Sequence, residues 1–579
     1  MVFPVPNGPK SKHESNAELL RDATLSGQRG PVSDKRELPG GHEGESMARG
    51  TFVILLARIF GLGCIFVTMY IVLPRVMPEG EFGNFRILMS FVVAFETALH
   101  YGLPAAVSKF IAEDRAFLGY FLTKGFWLQI WFSLILFGIS LIIAPIATVF
   151  YKENFVFGML FVLAMLDIPA YAIYNIRMSV LNGLRRFTKE SITVLWYEAS
   201  RTVMTVGGVL WAASVGRVDW MIPLALIANF LSSVVGLYWS VVYTRADTGY
   251  REEAGMVPAI IKFITPNIVA MFVYQALLVI DLWCVKGFIT SSMTDTEEAG
   301  KLLGSYGLAG SIAIVPSLLY HSLYPALFPT ISHYLGLGDI ERVRRIIHQA
   351  TKAGFIVLLP ISIAMCGTSQ EIFLVLVGQG YGFAWQYLGV LVFSMVAYTL
   401  YLSASIIIIA SNHPEYPLKN VSCLLVGAFL LNWIFMKLAP VNLFGPADDP
   451  ISRAMAGPVV AIVVGLIGTW FFARWIVTRY HVFAKAHEVA RISLACLVPA
   501  PVLWFLDIPA QLQQLNPFGI HIEEHTYSLV YLLLGVTVEY LIYFICYSIL
   551  LFLFGAFDPE EKKKILRLIR RERLEGSEG

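Results

Sequence analysis

At 579 residues the chain is long enough for several soluble domains, but 57% of it is hydrophobic and only 15% is charged, with a mean hydropathy of +0.66. That composition excludes a soluble globular enzyme, and a formal net charge of +2 gives no basis for a nucleic-acid partner. The six cysteines (Cys64, Cys284, Cys366, Cys423, Cys496, Cys546) stand singly in apolar runs, so neither a zinc site nor a disulfide framework is predicted.

Residues 1–50 are polar, carry no apolar signal-peptide core, and are predicted to form a disordered cytoplasmic tail. Met47, just before the first apolar run, is a second candidate start. From there the chain predicts an all-α polytopic membrane protein with about 14 transmembrane helices of roughly 20 residues each, the length a core of about 30 Å demands. The first half (51–244) gives Phe52–Leu73, Phe85–Val107, Gly125–Ala147, Phe155–Ile176, Ile192–Ala213 and Met221–Tyr243. The second half (245–480) gives Phe263–Val285, Tyr306–Phe328, Ala350–Cys366, Tyr387–Ala410, Val421–Lys437 and Met455–Val477. Two further spans, Val489–Leu506 and Tyr527–Phe557, fill an additional segment (481–557). The basic tail 558–579, with its run KKKILRLIRR, reads as an amphipathic helix suited to an anionic leaflet.

The two halves are duplicates. A constant offset of 221 residues carries Gly83 onto Gly304, Phe85 onto Tyr306, Ser90 onto Ser311, His100 onto His321, Pro104 onto Pro325 and Ala105 onto Ala326. Two pseudo-symmetric six-helix bundles plus two extra C-terminal helices are therefore predicted.

Lys and Arg sort the loops into two faces. One face holds Lys109, Arg115, Lys124, Arg177, Arg185, Arg186, Lys189, Arg245, Arg251 and Lys262, then Arg342, Arg344, Arg345, Lys352, Lys419, Arg474, Arg479, Lys485 and Arg491. The other holds only Arg75, Arg86, Lys152, Arg217, Lys286, Lys301, Lys437 and Arg453. Both termini fall on the richer face, which places the chain in the plasma (inner) membrane with cytoplasmic ends. No inter-span connection has room for a soluble catalytic domain, and Walker A, GxSxG and HExxH patterns are absent; the run Gly378-Gln379-Gly380-Tyr381-Gly382 reads as a turn. No enzyme activity and no cofactor are expected.

A charge near the bilayer centre costs at least about 2.5–3.5 kcal/mol, so each one asks for a reason. Glu96 and His100 share a helix face at i,i+4 and read as a proton-handling pair or as a structural hydrogen bond. Glu198 and Arg201, at i,i+3, neutralise one another or leave Arg201 for a ligand. Arg58 has no acid within four residues and cannot shed its proton. Asp281 sits at nearly the equivalent place in the second half, so the two are expected either to interlock until a phosphate-bearing ligand separates them or to form a permanent bridge. Prolines at Pro169 (after Asp167), Pro266 and Pro316 are expected to interrupt their spans. Glu539 lies outside the repeat and is assigned a peripheral role.

The stretch Arg58-Ile-Phe-Gly61, then EFGNF at Glu81–Phe85 and GLPAAVSKFIAE at Gly102–Glu113, resembles polysaccharide and lipid-linked oligosaccharide flippases. These belong to the multidrug/oligosaccharidyl-lipid/polysaccharide exporter superfamily. LNGLRRF at Leu181–Phe187, GSYGLAGSI at Gly304–Ile312, YPALFPTIS at Tyr324–Ser332 and VGQGYGFAWQYLGVL at Val377–Leu391 continue the resemblance over roughly residues 50 to 480. It implies two bundles in a V, alternating access to a central and often cationic cavity, and flipping of a polyprenyl-linked glycan from the cytoplasmic to the outer leaflet. Arg58 matches the basic residue of the family's first span and, with Arg201, is the expected pyrophosphate contact. Few other arginines lie within the first-half spans, which departs from a strongly cationic cavity.

Glu96, His100, Asp281 and His321 are the expected ion-coupling or gating residues. The implied partners are the lipid-linked glycan, membrane lipids, a proton or sodium ion, and polysaccharide polymerase or assembly proteins. The competing reading is a multidrug/cation antiporter of the same superfamily, favoured by an acidic, aromatic cavity around Glu96 and Asp281. A glycan polymerase needs a larger external loop, and a scaffold has no need of intramembrane charges.

Overall fold

The computed structural model describes residues 47–557 except 101, 105–106, 109–110, 112–117, 245–255, 294, 322–326, 328–329, 332–333, 336, 378–380, 383, 412, 414, 438–449, 506–507 and 510–528. The predicted N-terminal tail and basic C-terminal helix lie outside the described residues. Every regular element described is helical. In the first half these are α1 (Met47–Phe66, continued by a π-helical turn Val67–Val72 and the turn Leu73–Val76), α2 (Glu79–His100), α3 (Phe126–Phe150), α4 (Phe155–Met165), α5 (Asp167–Gly183), α6 (Phe187–Ser214) and α7 (Met221–Thr244). The second half supplies α8 (Met256–Ser292), α9 (Thr296–Ala313), α10 (Val315–His321), α11 (Ile340–Gly367), α12 (Ser369–Val377), α13 (Ala384–Ala410), α14 (Glu415–Lys437) and α15 (Ala456–Tyr480). The last segment contributes α16 (Ala486–Leu497) and α17 (Leu529–Leu553).

Among the described residues thirteen helices or helix pairs are long and apolar enough to cross a membrane, and they overlie thirteen of the fourteen predicted spans. The remaining one, Ile192–Ala213, lies within the 28-residue α6, whose interior carries Glu198 and Arg201.

The prolines act according to where they fall. Pro169 and Pro316 sit in the first turns of α5 and α10, just after breaks at Leu166 and Ile314. A proline there gives up an N–H that has no helical partner anyway, so each span restarts cleanly after its bend. Pro266 was expected to do the same and does not: α8 runs unbroken from Met256 to Ser292 through it. A single lost backbone bond inside a long apolar helix does not outweigh the packing on either side.

Within each half the helices pack on one another, α6 on α7 and α1, α13 on α15, α9 and α11, while α2 meets α8 and α9. This seam is built on glycine. A Cβ on Gly304 would lie 2.3 Å from the carbonyl oxygen of Glu79, and one on Gly83 would lie 2.8 Å from the Gly304 nitrogen. Gly83 and Gly304 are the residues that the 221-residue offset aligns, so equivalent points of the duplicated sequence touch. Along the seam Trp283 stacks on Phe91 with centroids 4.2 Å apart and donates to Ser90 Oγ at 2.7 Å. Tyr70 of α1 donates to the Ser311 carbonyl at 2.9 Å.

The extra helices dock on α11: Tyr547 donates to the Ile356 carbonyl at 2.8 Å, and His348 faces Glu488 at 3.3 Å. Glu539 accepts from the Ile508 backbone N–H at 3.0 Å, away from the seam.

Candidate functional site

Arg58 lies on α1 and is exposed, yet its charge acts on His100 of α2, Tyr174 of α5 and Glu190 of α6. These groups lie on three different helices, so the guanidinium stands within electrostatic reach of α2, α5 and α6. Among the described residues it has no ion pair or hydrogen bond. The glycine one turn on has a packing role. A Cβ at Gly61 would stand 3.1 Å from Glu198 Cγ, so the missing side chain lets α1 lie against α6.

Glu198 in turn binds Arg201 at 2.7 Å, the pairing expected from the spacing. Arg201 also donates to the Tyr197 hydroxyl at 3.4 Å, with its guanidinium 5.3 Å from that ring's centroid. Tyr197 stacks on Tyr174 at 5.0 Å, and Tyr171 completes the aromatic wall.

Glu96 and His100 both turn toward α5. Glu96 lies close enough to Asp167 for the two acids to interact electrostatically, and Asp167 accepts from Asn229 Nδ2 at 2.7 Å. His100 Nδ1 meets Asn175 Oδ1 at 3.1 Å. Spacing along α2 identified Glu96 and His100, but Asn175, the partner of His100, and Asn229, the partner of Asp167, gave no signal, because asparagine is unremarkable in sequence. Asp167 stood out only as a charge beside a proline.

Asp281 does not meet Arg58. It is buried on α8 and accepts a 2.6 Å hydrogen bond from Tyr306 of α9, the residue equivalent to Phe85. Where the 221-residue offset puts Phe85, position 306 carries a hydroxyl, and that hydroxyl satisfies the acid. The expected interlock is therefore corrected. His321 ends α10, and its side chain lies outside the described residues.

Several cations assigned to loops lie in helices instead, and two of them bear on the seam. Lys286 is buried in α8, where it pairs with Glu153 and donates to Asn84 Oδ1 at 2.8 Å. Arg86 lies within α2 at the seam, half-buried, its stem against Gly307. Sequence reasoning missed both because each lies within about two turns of a helix end, where loop and helix look alike.

Residues 47–335 match the family described as polysaccharide biosynthesis protein. That stretch of the chain belongs to this family. The chain is also similar to the succinoglycan biosynthesis transport protein ExoT of Rhizobium meliloti (strain 1021), at 23% identity over 488 residues, 82% of this chain and 88% of that protein.

Among solved structures, the lipid II flippase MurJ in an inward closed conformation superposes with a TM-score of 0.60 at 15% identity. The match covers 87% of this chain and 99% of that one. An inward-facing multidrug resistance transporter of the MATE family, from the MOP superfamily, gives 0.56 at 14% identity over 73% and 98%. At such identities the structures establish a shared fold. The chain thus shares the helical fold of these transporters, as its motifs implied.

Proposed function

We propose that the protein is a flippase that moves a lipid-linked oligosaccharide or polysaccharide precursor from the cytoplasmic to the outer leaflet by alternating access, without covalent chemistry. The observation that carries this reading is Arg58: a guanidinium on a membrane helix with no ion pair among the described residues, within electrostatic reach of His100 on α2, in a chain whose residues 47–335 match a polysaccharide-biosynthesis family. A permanently charged planar fork in a low-dielectric cavity fits the diphosphate that joins a glycan to its polyprenol. The Lys/Arg bias of the loops supports cytoplasmic termini in the plasma membrane. A polymerase or assembly protein would receive the product.

Two neighbouring buried acids, Glu96 and Asp167, support coupling to an ion gradient, a proton or a sodium ion. Flipping of a fluorescent polyprenyl-diphosphate oligosaccharide in proteoliposomes under a pH gradient tests the reading. Wild type is expected to translocate it, and Arg58→Ala to slow translocation at least ~10-fold, equivalent to about 1.4 kcal/mol. Unchanged transport by Arg58→Ala would remove the anion contact.

One observation favours the second reading, a multidrug/cation antiporter. Glu96, Asp167 and Glu198 with Tyr171, Tyr174 and Tyr197 make the first-half interior acidic and aromatic. Ethidium efflux by a wild type that flips no glycan lipid would decide for it.

A further inference from the structure

We propose that Arg86 is a second anion-binding residue, set where α2 and α9 seal the seam, and that it takes the diphosphate group of the transported lipid. The proposal rests on the flippase reading and adds a site to it.

Three other cations near the seam and the first-half acids are tied down. Arg201 is bound by Glu198, Lys286 by Glu153 and Asn84, and Arg75 by the carbonyls of Leu376 and Val375. Arg86 is not. Its Nε is fully covered and has no acceptor, and among the described residues no carboxylate or carbonyl binds any part of the guanidinium. The one ionisable group acting on it is the phenol of Tyr70, whose hydroxyl is already donated to the Ser311 carbonyl. Asp281 on α8 is held by Tyr306.

A guanidinium cannot discharge itself, so a fixed positive charge stands at the seam with its Nε–H buried and without an acceptor. The site is also shaped around the arginine. A Cβ at Gly307 would lie 3.2 Å from Arg86 Cβ and 3.3 Å from its Cγ, so glycine there leaves the stem its channel.

Position strengthens the argument. Arg86 lies fourteen residues before His100 on α2, which at 1.5 Å per residue is roughly 21 Å along the axis. Arg58 acts on His100 and therefore stands near the far end of that distance. The two unpaired guanidiniums thus mark separate levels of one path, one beside the first-half acids and one at the seam. A diphosphate bound at Arg58 has a second station at Arg86, and arrival there places its charge where the α2–α9 contact must part. Phosphate oxygens suit the planar fork, which binds them in pairs.

The test uses the purified full chain with geranylgeranyl diphosphate as probe, its binding followed by tryptophan fluorescence, since Trp283 lies on the same seam. Arg86→Met is expected to weaken binding at least ~10-fold, with Arg86→Lys intermediate. Because the guanidinium holds nothing in the free protein, Arg86→Met is also expected to leave the ligand-free melting temperature unchanged or higher. A melting temperature that falls while binding persists would make Arg86 structural and overturn the site. Arg86→Lys, which keeps charge and stem, carries the test if the methionine variant does not fold.

Inorganic pyrophosphate is expected to compete with the probe and phosphatidylglycerol not to; displacement by phosphatidylglycerol alone would reassign the site to a bilayer headgroup and overturn the proposal. Wild type that binds the diphosphate through Arg86 but moves no glycan lipid would sink the flippase reading and leave the site standing. Intact translocation with undiminished binding in both variants would sink the site alone.

Discussion

The charged residues inside this protein fall into two kinds, and the difference lies in what each touches. Glu198 and Arg201 neutralise each other at 2.7 Å, and their side chains keep only 14% and 18% of their exposure. Such a pair contributes little over an apolar replacement, but removing one member strands the other. Arg201→Met alone is therefore expected to destabilise the protein by about 3 kcal/mol, while Glu198→Leu with Arg201→Met recovers most of that loss. Thermal unfolding of the detergent-solubilised protein measures both, and additive losses would show that the pair is not coupled.

Asp281 and Tyr306 belong to the same kind. Tyr306→Phe leaves a buried acid without its donor and is expected to cost about 1–3 kcal/mol in the same assay, with Arg58 and its cavity unaffected. Arg58 and Arg86 are the other kind: they stabilise nothing in the free protein, and their truncation is read in ligand binding and transport.

At the scale of the element, the seam is decided by side chains that are absent. Gly304→Ala would force a methyl to within 2.3 Å of a backbone oxygen that cannot swing aside, so α2 and α9 must separate. The expected loss is about 1–3 kcal/mol. Gly427→Ala on α14 meets nothing within 4 Å and is the control; it is expected to be neutral or to gain about 0.5–1 kcal/mol. Equal effects of the two substitutions in chemical denaturation would refute the close approach of α2 and α9.

The glycines also show how far the sequence could be read. Gly83 and Gly304 stood out because they hold the same place in two similar stretches of sequence, and the structure brings those two residues together. The helices were legible because apolar runs of membrane length admit little else. What stayed hidden was pairing between helices. Nothing local links Glu96 to Asp167, Lys286 to Glu153 or Tyr306 to Asp281, and the expected Arg58–Asp281 contact failed because symmetry of position does not ensure symmetry of partners. Pro266 failed for a related reason: a local rule was overridden by the packing of a long helix.

For the molecule as a whole, the question is what keeps the poorly charged face shut. A cavity of about 780 Å³ opens there between the halves, lined by Arg75, Glu79 and Glu153 from the first and by Lys286, Glu297 and Lys301 from the second. At its base Lys286 of α8 reaches across to Glu153 and Asn84, and Arg75 clasps two carbonyls of α12. Beneath this layer Cys284 is buried on α8, close enough to Tyr151 of the first half for the two to interact electrostatically.

On the proposed orientation this is the outer face, and an outward opening must break the Lys286 contacts before it can expose Cys284. Lys286→Met removes the cross-half ion pair while keeping the stem, and so shifts the balance toward the open form. A loss of about 1.4 kcal/mol corresponds to ~10-fold more open protein. With the other five cysteines replaced, labelling of Cys284 by an impermeant maleimide added outside is expected to accelerate by that order in Lys286→Met. The swapped pair Lys286→Glu with Glu153→Lys is expected to slow it again, because the attraction is restored with its ends exchanged. Labelling that stays slow in Lys286→Met would mean that the glycine seam alone holds the face closed. Labelling that stays fast in the swapped pair would mean that Lys286 acts through its shape or through Asn84, and not through its charge.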